Sequence, residues 1–432
     1  MSIVNVGIVG FGTVGAGVVK ILMESAQELA AKTGREIRLK WICDVDLERE
    51  RAVRPPKEIL TSNLNHVLDD PEVAVVVELI GGIDAAKMVI LEALNRRKHV
   101  VTANKALLAA HGRELFERAW DADRCIMFEA SVGGGIPIIA AIREGFIANR
   151  INAIFGIVNG TCNYILTRMF RENANYEDVL REAQAQGYAE KDPTLDVGGG
   201  DSAHKLAILA ALGFAADFDF KDILVEGITG LELVDIQYAR ELGYVIKLLA
   251  IGKRTERGLE LRVHPTLLPQ DHPLAQVGDV FNAIFVQGDA VGDAMLYGRG
   301  AGMMPTASAV VSDIVSIALG NGPRAFAALR LFPGRTKRVK VLGRDEIESS
   351  YYLRLKVKDQ PGVMATIAGV LAAYNISIES LVQRGRSQNE HEAVPLLVIT
   401  HRARESSVQE AVREIDRQPV VLAPTRLVRV EE

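Results

Sequence analysis

The sequence predicts an α/β protein in three parts: a Rossmann-type nucleotide-binding domain, a mixed α/β second domain, and a C-terminal ferredoxin-like βαββαβ module. Three observations carry this. Short, solidly apolar runs alternate with helical patterns through the first third, which implies a parallel sheet covered on both faces. A glycine loop, Gly10-x-Gly12-x-x-Gly15, sits where the first such run gives way to a helical pattern. From about residue 351 the order strand, helix, strand, strand, helix, strand fits a ferredoxin-like module.

In the first part, strands are expected at 4–9, 37–43, 73–78, 99–102 and 125–129, with helices at 14–30, 85–96 and 112–120. After Ser131 the rhythm changes. Helices are expected at 137–146, 163–173, 176–186 and 201–212, followed by β-like runs at 245–251, 259–263, 280–286 and 290–296. A helix at 306–319, just after Pro305, is expected to fold back onto the first domain. The resulting division is 1–130, 131–304, a linker at 321–349 and a module at 350–432. The linker centres on Phe332-Pro-Gly-Arg-Thr-Lys-Arg338, which has turn residues and charge but no periodicity. In the module, strands at 351–357, 376–383, 393–400 and 420–430 alternate with helices at 364–374 and 406–416.

Composition bounds the function. A chain of 432 residues with 48% hydrophobic and 24% charged residues holds two or three domains with full cores. A net charge of −5 without a long basic run argues against nucleic acid as a partner. The three cysteines, Cys43, Cys125 and Cys162, form no C-x-x-C, which suits buried thiols in a reducing cytoplasm. The apolar stretch 4–22 imitates a signal peptide, but its five glycines at 7, 10, 12, 15 and 17 read as strand, turn and helix. No other stretch approaches the ~20 apolar residues of a membrane helix, so no membrane partner is expected.

In Gly10-Phe11-Gly12-Thr13-Val14-Gly15 the glycines allow a tight turn, close backbone approach to a pyrophosphate and close helix packing, while the helix N-terminus favours phosphate charge. The second strand ends at Asp44, which can bond a ribose 2′-hydroxyl and repels a 2′-phosphate. NAD is therefore favoured over NADP, with Arg49 and Arg51 as the opposing sign.

The stretch 187–205 gathers Glu190, Asp192, Asp196 and Asp201 ahead of Lys205. Carboxylates repel each other, so such a cluster makes sense around a cation, either a substrate ammonium or a proton-handling lysine. Lys205 follows Asp201 by four residues, so on a helix they share a face, with Asp201 where an N-cap would stand. A lysine titrates near ~10.4 when unperturbed. Burial or a second cation, for which Lys105 is the candidate, lowers that value, and carboxylates raise it. Asp192 precedes Pro193 and reads as a turn cap, and His204 as packing. The bland alternative for Asp201 and Lys205 is a surface ion pair of little consequence.

Five motifs in order carry a resemblance: the glycine loop, Glu78-Leu-Ile-Gly-Gly82, Val100-Val-Thr-Ala-Asn-Lys105, Asn159-Gly-Thr-Cys-Asn163 and the acidic stretch. Together they resemble a homoserine dehydrogenase as far as about residue 319, and the tail, with Asp359-Gln-Pro-Gly-Val363 at a strand-to-helix turn, resembles an ACT domain. The resemblance implies NAD(P)-dependent interconversion of L-aspartate 4-semialdehyde and L-homoserine, on the route to threonine and methionine. It implies Lys205 as proton donor or acceptor, Asp201 as its orienter and Lys105 as an assistant near nicotinamide and substrate. It places Glu190, Asp196 and Tyr188 on the substrate, and Thr102 and Gly302 on the cofactor. Backbone carbonyls at Glu129, Val132, Gly134 and Ile136 would coordinate a sodium ion. It also implies a cytoplasmic homodimer or homotetramer whose ACT domain takes threonine as a feedback inhibitor or serves as a dimerisation module with no ligand. Deletion from about Lys337 onward would then leave an active enzyme insensitive to threonine. Two other readings stay open: another amino-acid dehydrogenase of this architecture, and a non-catalytic amino-acid sensor.

Overall fold

A computed structural model describes residues 2–383 and 393–431. Six parallel strands form the first sheet: β1 (Ser2–Val9), β2 (Arg35–Cys43), β3 (Leu60–Thr61), β4 (Val73–Glu78), β5 (His99–Thr102) and β6 (Ile126–Met127), in the order β3-β2-β1-β4-β5-β6. This is the doubly wound order, with its reversal at β1 and β4, so the carboxyl ends of those strands open a crevice. The strands are apolar because helices cover both faces; Val6, Ile8, Val75, Val76 and Val77 have no solvent exposure.

The second domain contributes β7 (Ile151–Ile157), β8 (Ala216–Asp217), β9 (Leu224–Val225), β10 (Tyr244–Thr255), β11 (Gly258–Pro269), β12 (Phe281–Gly288) and β13 (Gly292–Arg299). The tail adds β14 (Lys337–Arg338), β15 (Glu348–Lys358), β16 (Ile378–Gln383), β17 (Ala393–Thr400), β18 (Ala403–Arg404) and β19 (Val421–Val430). Apart from β8 and β14, which pair with each other, these strands form one sheet, with path β13-β12-β7-β10-β11-β19-β15-β17-β16, because β19 pairs with β11 in parallel through Thr266 with Arg429 and Leu267 with Val430. The α/β class and its three parts are therefore present, and the C-terminal module is welded to the second domain.

Several elements differ from expectation for local reasons. The expected helix 14–30 breaks at Ser25 into Thr13–Glu24 and Ala26–Thr33. The expected 112–120 helix is Lys105–Asp121, because the Asn104 side chain caps it by accepting from the Leu107 N–H. The helix expected at 163–173 starts at Gly160, capped by Asn159. Strand 125–129 shrinks to β6 as the chain turns into a short 3₁₀ segment, Glu129–Ser131. The run at 259–263 is part of a twelve-residue hairpin arm whose register with β10 is unbroken from Tyr244 and Pro269 to Thr255 and Gly258. The stretch 321–349 is not featureless. It holds the helix Asn321–Ala328 and β14, which pairs with β8. The helix Met303–Leu319 lies against the first helix, where an added Cβ on Gly17 would stand 2.8 Å from the Met303 carbonyl oxygen.

No single helix among the described residues is long and apolar enough to cross a membrane.

Candidate active site

The glycine loop is shaped as its spacing requires. Gly10 has φ +104°, and a Cβ there would lie 2.6 Å from the Leu79 carbonyl. At Gly12, the N-cap of Thr13–Glu24, an added Cβ would meet nothing within 4 Å. The loop thus shows an open face at a helix N-terminus, which fits a pyrophosphate. Asp44 accepts hydrogen bonds from the N–H groups of Phe11 and Asp46. Arg51 folds back over this corner: its Nε donates to the Phe11 carbonyl (2.6 Å), its guanidinium lies 4.5 Å from the Phe11 ring centre, and it stands 3.6 Å from Asp44. Arg49 provides a carbonyl to that same guanidinium.

At the carboxyl end of β4, Glu78 is fully buried and accepts from Thr102 Oγ1 (2.6 Å) and the Ile80 N–H (2.9 Å). Burial raises its pKa. Thr102 in turn accepts from the Asn104 N–H, and Asn104 Nδ2 donates to the Gly82 carbonyl (2.6 Å). This chain of bonds fixes the loop that leads into Lys105.

Across the crevice, the helix Gly200–Gly213 brings Asp201 and Lys205 together. Asp201 is in the first turn and not at the N-cap, because Gly199, at φ +86°, caps this helix. Lys205 Nζ donates to Asp201 Oδ2 (2.6 Å) and to the Val158 carbonyl (2.6 Å). The Lys205 side chain is 12% exposed, so the pair faces inward and is no surface ion pair. The other Asp201 oxygen is 3.3 Å from Lys105 Nζ, which comes from the nucleotide side. Burial pushes the Asp201 carboxyl up, but Lys205 and Lys105 outweigh it and hold it at about 2.

Asn159 ties this group to Asp196. Its Nδ2 donates to Asp196 Oδ1 (2.7 Å) and Asp201 Oδ2 (2.9 Å), while its Oδ1 accepts from the Cys162 N–H (2.8 Å). Burial raises the Asp196 pKa, and the Asp201 charge adds to that against the Asn159 bond. Asp192 accepts from the Thr194 N–H and hydroxyl, as a turn cap does. Glu190 is exposed and is not drawn into the Asp196–Asp201–Lys205 group; its carbonyl accepts from Gln184. Tyr188 is 44% exposed, with its ring 5.2 Å from Tyr164. His204 stacks on Phe220 at 4.9 Å and 23°. A cleft of about 260 Å³ runs between the two sides, lined by Glu78, Gly82, Asn104 and Lys105 on one wall and Leu195 and His204 on the other.

In the loop 129–136, the Glu129 carboxylate takes the N–H groups of Ile139 and Ala140 (both 2.8 Å), and the Glu129 N–H donates to Asp313 (2.8 Å). Gly133 and Gly134 have positive φ, and the Ile136 carbonyl already accepts from the Ile138 N–H (2.8 Å). Gly302, at φ +120°, caps Met303–Leu319, and Gly134 packs on the Gly300 carbonyl beside it. Asn159, Glu78 and Asn104 are the polar residues that sequence reasoning left without a role. All three lie inside the quoted motifs, which was the available signal.

Three family profiles match the chain: the homoserine dehydrogenase NAD-binding domain over residues 10–129, homoserine dehydrogenase over 137–315, and the ACT domain over 351–420. The homoserine dehydrogenase of Neisseria gonorrhoeae is 44% identical over 434 residues, covering 100% of this chain and 99% of that one. The chain belongs to the homoserine dehydrogenase family. The Bacillus subtilis homoserine dehydrogenase is 42% identical, again over 100% of this chain and 99% of its own. Among solved structures, a homoserine dehydrogenase from Thiobacillus denitrificans superimposes with a TM-score of 0.92 at 42% identity, covering 100% of this chain and 99% of that one. A hyperthermophilic archaeal homoserine dehydrogenase in complex with NADPH matches 74% of this chain and 98% of its own, at 26% identity and TM-score 0.61. The chain is thus an oxidoreductase of amino-acid biosynthesis with a nicotinamide-nucleotide domain.

Proposed function

We propose that Lys205 is the proton carrier for the interconversion of L-homoserine and L-aspartate 4-semialdehyde, with Asp201 as the group that holds it. The observation that supports this most is the inward pair: an amine 2.6 Å from a buried carboxylate that is also approached by Lys105 from the opposite wall. A nicotinamide bound in the crevice supplies the hydride chemistry. In oxidation, the Lys205 amine takes the hydroxyl proton; in reduction, its ammonium returns a proton to the carbonyl oxygen. Asp201 fixes the direction of the Nζ–H bonds, and Asn159 fixes Asp201 and Asp196 together. Lys105 stands beside the forming oxyanion. Asp196 is the best-placed acceptor for the substrate ammonium. Glu190 and Tyr188, both exposed, would complete the substrate pocket.

Gly10, Phe11, Gly12, Thr13, Val14 and Gly15 would hold the pyrophosphate, Asp44 the ribose, and Thr102, Lys105 and Gly302 the nicotinamide end. NAD is favoured because Asp44, just past the end of β2, would meet the ribose hydroxyls while Arg51 is already bonded to backbone carbonyls. Carbonyls of Glu129, Val132, Gly134 and Ile136 would hold a sodium ion. A cytoplasmic homodimer or homotetramer with threonine acting at the ACT domain completes the reading. β13, an edge strand with Met295 and Tyr297 exposed, supports self-association.

The test is an assay of purified protein with homoserine and NAD or NADP, with and without threonine. The Lys205→Ala variant should bind NADH normally, as read by fluorescence titration, and lose about 10²–10⁴-fold in turnover. Near-normal turnover removes Lys205 from the chemistry. Sodium should raise the melting temperature above that in an equal concentration of choline; equal values remove the ion.

A further inference from the structure

We infer that the second domain carries a separate small-oxyanion site built by Lys247 and Arg171. Lys247 lies on β10 with 3% of its surface exposed. Its ammonium donates to the Asn163 side-chain oxygen (3.0 Å) and the Val277 carbonyl (2.5 Å). Both partners are neutral, and among the described residues no carboxylate forms an ion pair with it. An ammonium has three donors, so one N–H is left over. A buried charge without a counter-ion is costly, and such a group either loses its proton or gains an anion.

The surroundings favour the anion. Lys247 opens onto a cavity of about 270 Å³ whose polar lining also includes Thr167, Arg171, Gln270 and Gln276. The Arg171 side chain is 56% exposed and makes one long contact, 3.3 Å, to Asp279. Two cations therefore face one carboxylate in a recess of ligand size. The turn that forms the rim is held rigid. Asn163 Nδ2 donates to the carbonyls of Val277 and Phe281, and the Asp279 N–H donates to Thr167 Oγ1. Burial, reinforced by Arg171, lowers the Lys247 pKa to about 7, which leaves the amine poised to take up a proton when an anion arrives.

The fitting ligand is a small oxyanion, a carboxylate or a phosphate. The site is distinct from the catalytic centre. Its cavity shares no lining residue with the cleft at Lys105, and along the helix Gly160–Glu172 the partners Asn163 and Arg171 stand about 6 Å and about 18 Å from the Asn159 cap that bonds Asp196 and Asp201.

The experiment is calorimetric titration of full-length protein saturated with NAD, so that the nucleotide loop is occupied. Inorganic phosphate and acetate are titrated separately at fixed ionic strength, in two buffers of different ionisation enthalpy. The expected result is saturable binding with proton uptake, weakened about tenfold in Arg171→Gln and lost in Lys247→Met. The tighter of the two anions identifies the ligand class. Should Lys247→Met fail to fold, Arg171→Gln decides alone. Absence of saturable binding by both anions, or binding unchanged in Arg171→Gln, overturns the site.

Discussion

Asp201 accepts from Lys205 and Asn159 and attracts Lys105, and each contact has a different consequence when removed. Asp201→Asn keeps the shape and the Asn159 contact but removes the charge that orients the Lys205 ammonium. Turnover should fall at least tenfold with little change in cofactor affinity, measured by steady-state kinetics beside NADH titration. The Asp201 and Lys205 pairing is legible in the sequence because four residues is one helical turn. The part played by Asn159 is not, since it bonds carboxylates 37 and 42 residues away, which no local pattern shows. Glu190 stands apart from Asp196 and Asp201 in this structure, because Tyr188–Pro193 runs outside either flanking helix and leaves it exposed. Arg51, the sign set against NAD in the sequence, lies over Phe11 and beside Asp44 in this structure.

At the scale of elements, the helix Met303–Leu319 carries Asp313, fully buried and bonded to the Glu129 N–H. Burial, with Glu129 nearby, raises its pKa from 3.8 to about 8. A carboxyl raised in the folded state contributes stability that is complete below pH 3.8 and declines as pH rises to about 8. Asp313→Asn preserves an acceptor for Glu129 and cannot ionise. Its melting temperature should therefore lose part of the decline that the parent shows between pH 5 and pH 8, as followed by circular dichroism in matched buffers; identical slopes contradict the assignment. The cap at Asn159 is a second case. Asn159→Ala should lower stability by about 1 kcal/mol in urea unfolding and reduce turnover as well, because one side chain serves both the helix and the carboxylates. Helix starts of this kind explain two of the boundary differences. Asn104 and Asn159 both begin helices earlier than apolar periodicity suggests, because caps are set by polar side chains that hydrophobic patterning ignores.

The whole molecule differs most from a chain of separable modules. β19 completes the edge of β11, Glu431 bonds Arg262 (3.0 Å), and Arg429 bridges Glu226 and Glu405 (both 2.7 Å). Arg354 of β15 meets Asp235 of the second domain at 2.6 Å in a buried pair. Pairing between strands so far apart in sequence has no local signature, so the module was readable and its weld was not. Removing residues from Lys337 onward would leave the β11 edge open and Arg262 buried without its terminal partner. Such a chain is predicted to aggregate or melt far below the parent, not to survive as a desensitised enzyme; a folded, active truncation would refute this. Breaking the buried pair by Arg354→Met should cost about 3 kcal/mol. The same integration sets the geometry of the crevice, where Lys105 of the first domain and Lys205 of the second converge on Asp201. The structure of the ternary complex with homoserine and an oxidised nicotinamide analogue tests that convergence most directly. The account predicts Lys205 Nζ about 2.6–3.2 Å from the substrate hydroxyl, still bonded to Asp201. A hydroxyl bonded elsewhere, with the Lys205 amine still committed to Val158 and out of reach, would contradict it.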